Sequence, residues 1–156
     1  MMRRPIWSLS TQEVGEKREK EMTDYAPEFL LGEPTGEYKA VSCWLASTSA
    51  AVAKGDWVTL VSTSSTDPCP TVTASATGDY AYGIVMKAGS PGTLIGVVTL
   101  GIVKTTAWGS IAAGASVAPH GQSAVYSVTA KTGVAKAIQA LSCGDNGLVY
   151  IFGGVV

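Results

Sequence analysis

At 156 residues, with 11 basic and 12 acidic side chains and a net charge of −1, the chain can bury one core but gives no electrostatic reason to expect nucleic acid or an anionic membrane as partner. Its longest apolar run, TLIGVVTLGIV at 93–103, falls short of the ~20 residues that a spanning helix needs. Cys43, Cys69 and Cys143 are odd in number and form no CxxC pair. That excludes a full disulfide framework and favours free thiols in a reducing compartment.

Residues 1–40 stand apart, with 14 of the 23 charged residues in about a quarter of the length. Arg3 and Arg4 are followed by PIWSLSTQEVGEKREKE, which turns polar before an apolar core develops, so no export signal is read here. Ser10 or Thr11 with Glu13 resembles a capping box, but Gly15 and the wide spacing of Val14 and Met22 give no continuous apolar stripe. With Pro5, Pro27 and Pro34 and few aliphatics, the segment cannot fold alone and reads as an arm, extended or partly helical. Trp7, Tyr25, Phe29 and Tyr38 are spaced along it. Large aromatics in a polar arm suit docking onto another surface, with Arg3 and Arg4 as charge contacts.

Residues 41–156 are written in Val, Ala, Thr, Ser and Gly, the vocabulary of short strands and tight turns. WVTLVS (57–62) alternates; AYGIVMK (81–87) precedes the turn sequence AGSPG (88–92). TLIGVVTLGIVK (93–104) is apolar on both faces, with Gly96 and Gly101 where a curled sheet could bend. SAVYSVTA (123–130) and GLVYIFG (147–153) complete the strands. The expected fold is all-β, a small β-sandwich or β-barrel over 41–156 with an extended, charged N-terminal arm over 1–40.

One segment repeats. VAKGDWV (52–58) and IAAGASV (111–117) share a β-branched residue, Ala, Gly and Val at matching places, 59 residues apart. The second copy keeps Gly114 for Gly55 but has Ala113 and Ala115 for Lys54 and Asp56. What the copies share is the turn glycine, so Asp56 reads as a turn-closing residue and Lys-Gly-Asp as turn chemistry.

The order of φ-A-x-G-D-x-V, GDYAYGIVMKAGSPGTLIGVVTLGIVK, IAAGASV and GLVYIFGG over 45–154 resembles the capsid cement or head-decoration proteins of tailed viruses. In that family a strand reading GIV, here Gly83-Ile84-Val85, precedes a small-residue turn and a strand ending in G-x-V, here Gly101-Ile102-Val103. The resemblance implies a structural protein of the virion surface without catalytic residues or cofactors. It also implies the major capsid protein as partner and a homo-oligomer, most often a trimer. The rival reading is a carbohydrate-binding or host-surface-binding β-module, for which Trp44, Trp57, Trp108 and Tyr126 are the stacking candidates.

Other chemistry finds little support. The single histidine, His120, lies in a Pro-Gly turn, and no nucleophile turn accompanies it. Three Cys and one His at 43, 69, 120 and 143 lack the close pairing of structural zinc ligands. Asp56, Asp67, Asp79 and Asp145 all sit in turn sequences. No metal or cofactor is expected, and basic residues are too dispersed for a nucleic-acid stripe.

Overall fold

The computed structural model describes residues 31–62, 68–129 and 135–152. The all-β expectation holds: among the described residues none is helical, and nine strands form. They are β1 (Pro34–Leu45), β2 (Trp57–Ser62), β3 (Thr71–Ala74), β4 (Ala81–Lys87), β5 (Leu94–Thr106), β6 (Ser116–His120), β7 (Ala124–Ser127), β8 (Ala135–Ala137) and β9 (Asn146–Phe152). β1 begins at Pro34, so the boundary drawn at residue 40 falls inside a strand.

The strands belong to one sheet in the order β1-β3-β2-β4-β5-β9-β8-β6-β7, with a further β1–β5 pairing. That pairing closes β1, β3, β2, β4 and β5 into a circuit, so the sheet curls on itself as a small barrel does. The remaining strands close against the end of β5 through a parallel bridge between Ala107 and Val125. β5 therefore serves twice. Residues 96–98 pair with β4 and residues 100–106 with β9, while β1 runs along the other side. Gly101, at φ 129, sits where the strand passes from one unit to the other.

The two units share a set of corresponding backbone hydrogen bonds. Gly55 N–H donates to Val85 and Gly114 N–H to Ala137; Gly92 N–H donates to Leu45 and Gly144 N–H to Ala107. Ala46 donates to Val72 as Trp108 does to Val125, and Val52–Gly89 exchange two bonds as Ile111–Leu141 do. The order β3-β2-β4-β5 thus recurs as β7-β6-β8-β9.

Each unit buries its own core. Cys43, Leu45, Val52, Val58, Val72, Val85, Ile95 and Val97 fill the first. The second holds Val103, Ile111, Val117, Val125, Val149 and Ile151 together with Trp57, Ile84 and Val98 from the first unit's strands. The apolar character of β5 on both faces follows, because Val97 faces one core and Val98 the other. Trp57 locks the junction. It is fully buried, and its indole N–H donates to the equally buried Thr105 hydroxyl at 2.9 Å.

The cores also exchange volume. A side chain at Gly89 would collide with Ile95, and one at Gly147 with Leu141. Gly89 is the counterpart of Leu141, and the shared register makes Ile95 the counterpart of Gly147. The same space is filled from opposite partners in the two units, as close packing requires.

Candidate functional surface

The sequence drew attention first to the turns. Ala53-Lys54-Gly55-Asp56, Ala76-Thr77-Gly78-Asp79 and Ser142-Cys143-Gly144-Asp145 share one design. In each, the third residue is a glycine at positive φ (94, 84 and 87°). The Asp Oδ2 accepts the N–H three residues back, at 2.9, 2.9 and 3.0 Å. Asp56, which is buried, also accepts from Gln122 Nε2 at 2.9 Å. Both observed contacts of this carboxylate hold loops, and the second ties the two units together. Gly114 has φ 79° in the matching turn, where Ala115 N–H still bonds to Ala112. Lys54 reaches Glu33 at 2.7 Å, an ion pair more than a third exposed on both sides and worth little.

Apolar side chains line the outer face of β5 and β9. Gly101, Val103 and Thr105 are buried, so Leu100, Ile102 and Lys104 point outward between them. Phe152, Tyr150 and Leu148 stand directly across on β9. On the next strand Lys136 lies across from Tyr150, and Ile138 N–H bonds to the Leu148 carbonyl. Leu100, Tyr150 and Ile138 are exposed, and the rings of Tyr150 and Phe152 lie 6.3 Å apart. Lys39 on β1 faces Leu100. The result is an apolar strip whose charged neighbours across the ladder, Lys39, Lys104 and Lys136, are all basic. A patch of this kind suits a macromolecular partner. Its sequence signal was the apolar alternation of LVYIF opposite LGIVK.

The proposed arm anchors Arg3, Arg4, Trp7, Tyr25 and Phe29 lie outside the described residues. Tyr38 lies in β1 and is 48% exposed. Among the stacking candidates, Trp57 belongs to the core and is unavailable to any ligand, while Trp44 and Tyr126 are half-buried. Trp108 is exposed; its ring stacks on His120 at 3.9 Å, and His120 meets Tyr126 edge-on at 5.8 Å. Cys43, Cys69 and Cys143 are free thiols. Burial, aided by the Cys69 thiolate, pushes Cys43 up to about 11. Among the described residues no cluster of three or more His, Cys, Asp or Glu could hold a metal. An open hollow of about 460 Å³ is lined by Thr59, Leu60, Asp79, Tyr80 and Tyr82.

Fold and surface together define an all-β protein of two interlocked units with an exposed apolar strip and no assembled catalytic set among its described residues. No family model matches the chain, and no curated protein does. The chain is similar in fold to a solved structure, the N base of head fiber gp8.5 in bacteriophage phi29. The TM-score is 0.55 at 13% sequence identity, with 74% of this chain and 94% of that chain covered.

Proposed function

We propose that this is a structural protein of a tailed-phage head, a decoration protein that docks on the assembled head where capsid subunits meet and opposes their separation. The observation that carries the reading is the shared fold with a head fiber base, 94% of which is covered. The sequence resemblance to cement proteins points the same way.

In this reading the protein acts as a homo-oligomer, a trimer, on the virion surface. The β5–β9 strip packs against a different face of the next copy, as a cyclic three-fold interface requires, so its basic neighbours do not oppose each other. The arm reaches the major capsid protein, with Trp7, Tyr25, Phe29 and Tyr38 as anchors and Arg3 and Arg4 as charge contacts. Modest affinity per copy suffices when several sites engage together. The test is co-sedimentation of the full chain with purified heads under a salt and heat challenge, alongside Tyr150→Glu and a deletion of residues 1–30. Heads that retain the full chain, survive longer with it and lose both variants support the proposal. Equal head survival with and without bound protein refutes the stabilising role.

A further inference from the structure

The two units treat one face of the sheet differently. Gly55 N–H bonds to Val85 as Gly114 N–H does to Ala137. Register then makes Ile84, across from Val98, the counterpart of Lys136, across from Tyr150. Met86 and Ile138 correspond two residues further on. In the first unit this face is covered: Ile84 and Val98 are fully buried in the second unit's core, and Met86 packs against it. In the second unit the matching positions are open. Lys136 is exposed, and Tyr150 and Ile138 keep 42% and 46% of their surface. No third unit follows among the described residues, so the β5–β9 strip lies where the repeat elsewhere places a cover.

The cover it calls for differs in charge from the first. Lys136 stands where the first unit has Ile84, and Lys39 and Lys104 border the same apolar side chains. Residues 100–106, 135–138 and 146–152 contain no carboxylate. The neighbouring acids are Glu37 in the β1 bulge beside Gly101, Glu33, which pairs with Lys54, and Asp145, which closes its own turn. An occupant that fits presents apolar side chains and carboxylates together.

The chain carries such a segment next to the strip. EMTDYAPEFL, residues 21–30, holds Glu21, Asp24 and Glu28 and no basic side chain, interleaved with Met22, Tyr25, Phe29 and Leu30. It joins the described fold beside Lys104: Gly32, at φ 75°, turns the chain there and donates its N–H to the Lys104 carbonyl at 2.9 Å. Ten residues reach up to about 33 Å, whereas Leu100 to Lys104 spans about 13 Å and β5 to β8 about 10 Å. A tether this short gives an effective concentration on the order of 1 mM, so weak contacts suffice. We propose that residues 21–30 dock on the β5–β9 strip of their own chain. Tyr25 and Phe29 lie on Leu148, Tyr150 and Ile138, and the carboxylates face the three lysines. One consequence rests on the head-decoration reading. The strip is covered in the free protein and opens to the next copy once the capsid takes up Tyr25 and Phe29, so copies associate on heads rather than in solution.

The test is limited chymotrypsin digestion of the full chain without heads, followed by mass spectrometry. The bond after Phe29 is compared with the bond after Trp7, which lies outside the docked segment. Tyr150→Glu, at an exposed position, should speed cleavage after Phe29 about tenfold and leave Trp7 unchanged. Lys39→Glu/Lys136→Glu should speed it about threefold, and adding Glu21→Lys/Asp24→Lys should restore protection, which general loosening of the sheet would not allow. Nuclear Overhauser contacts of the Phe29 ring with the Ile138 and Leu148 methyls should appear within one labelled chain and not between labelled and unlabelled copies. Equal cleavage after Phe29 in the wild type and Tyr150→Glu overturns the proposal. So do contacts found only between copies, which would assign the strip to a second copy's segment. Either result beside normal head retention leaves head decoration standing, whereas protection of Phe29 without head retention supports the docking and removes only its consequence on heads.

Discussion

Replacing Gly55 and Gly114 separately by Ala separates two costs that usually arrive together. Both glycines have positive φ, 94° and 79°, and both donate their N–H across the unit, to Val85 at 2.8 Å and Ala137 at 2.7 Å. An L-residue held there loses about 1–2 kcal/mol. At Gly114 nothing lies within 4 Å of the added Cβ, so that is the whole loss. At Gly55 the new Cβ would lie 2.6 Å from Leu31 Cβ, well inside the ~3.5–4.0 Å of carbon contact. The overlap adds about 1–3 kcal/mol. Gly114→Ala should thus lower Tm by roughly 3–6 °C and Gly55→Ala by roughly 6–15 °C, at about 3 °C per kcal/mol. Urea denaturation of both variants measures the difference directly. A double-mutant cycle identifies its source: Leu31→Ala keeps the offending Cβ and gives no relief, whereas Leu31→Gly removes it and narrows the gap. Equal losses at the two glycines, or identical coupling for both Leu31 variants, would refute the steric argument.

Asp56→Ala should cost about 0.5–2 kcal/mol and more than Asp145→Ala, because only Asp56 also holds Gln122 and is buried; equal chemical-denaturation midpoints would contradict this. Trp57→Phe should cost about 1–3 kcal/mol by leaving the buried Thr105 hydroxyl without its donor, and Trp57→Phe/Thr105→Val should recover part of it in the same assay. In thiol titration of the native chain at pH 8, Cys143 should react at once and Cys43 only after unfolding, since a pKa of about 11 leaves roughly one thiol in a thousand ionised. Raising a thiol pKa on folding disfavours its thiolate in the native state. The contribution of Cys43 is therefore complete below its ordinary value of 9.0 and lost as pH climbs toward about 11. Cys43→Ala should flatten the alkaline fall in stability measured by urea midpoint.

Strands whose residues alternate or are β-branched were legible from sequence: 57–62 and 81–87 agree with β2 and β4, and 93–104, 123–130 and 147–153 overlap β5, β7 and β9. Four others were not. β1 hides because Glu37 and Lys39 are written like the charged segment before them, although they lie on an exposed stretch of strand. β6 ends in Pro119-His120 and is followed by Gly121, a combination that reads as a turn. β3 and β8, at 4 and 3 residues, are too short to display a period. The turn at Gly55 and its partner at Gly114 could be aligned because glycine at positive φ has few substitutes. The ring cluster could not, since Trp108, His120 and Tyr126 lie on separate elements that only the second unit's closure brings together. Trp57 misled for the opposite reason. An alternating strand does not say which face meets solvent when both are covered.

The sharing of β5 has a mechanical consequence. β1 and β9 run in the same direction and flank β5 on opposite sides. Tension applied between residue 31 and residue 152 therefore draws β1 toward one end of β5 and β9 toward the other. Both ladders are loaded in shear. Their rungs resist together, whereas a hairpin pulled from its open end gives way one rung at a time. The path of force crosses from one ladder to the other through β5, and it bypasses the side-chain junction between the units. Forced unfolding, which follows the barrier rather than the equilibrium stability, should therefore be limited by rupture of the loaded β1–β5 and β5–β9 ladders, with the unloaded Ala107–Val125 bridge playing no part in the barrier.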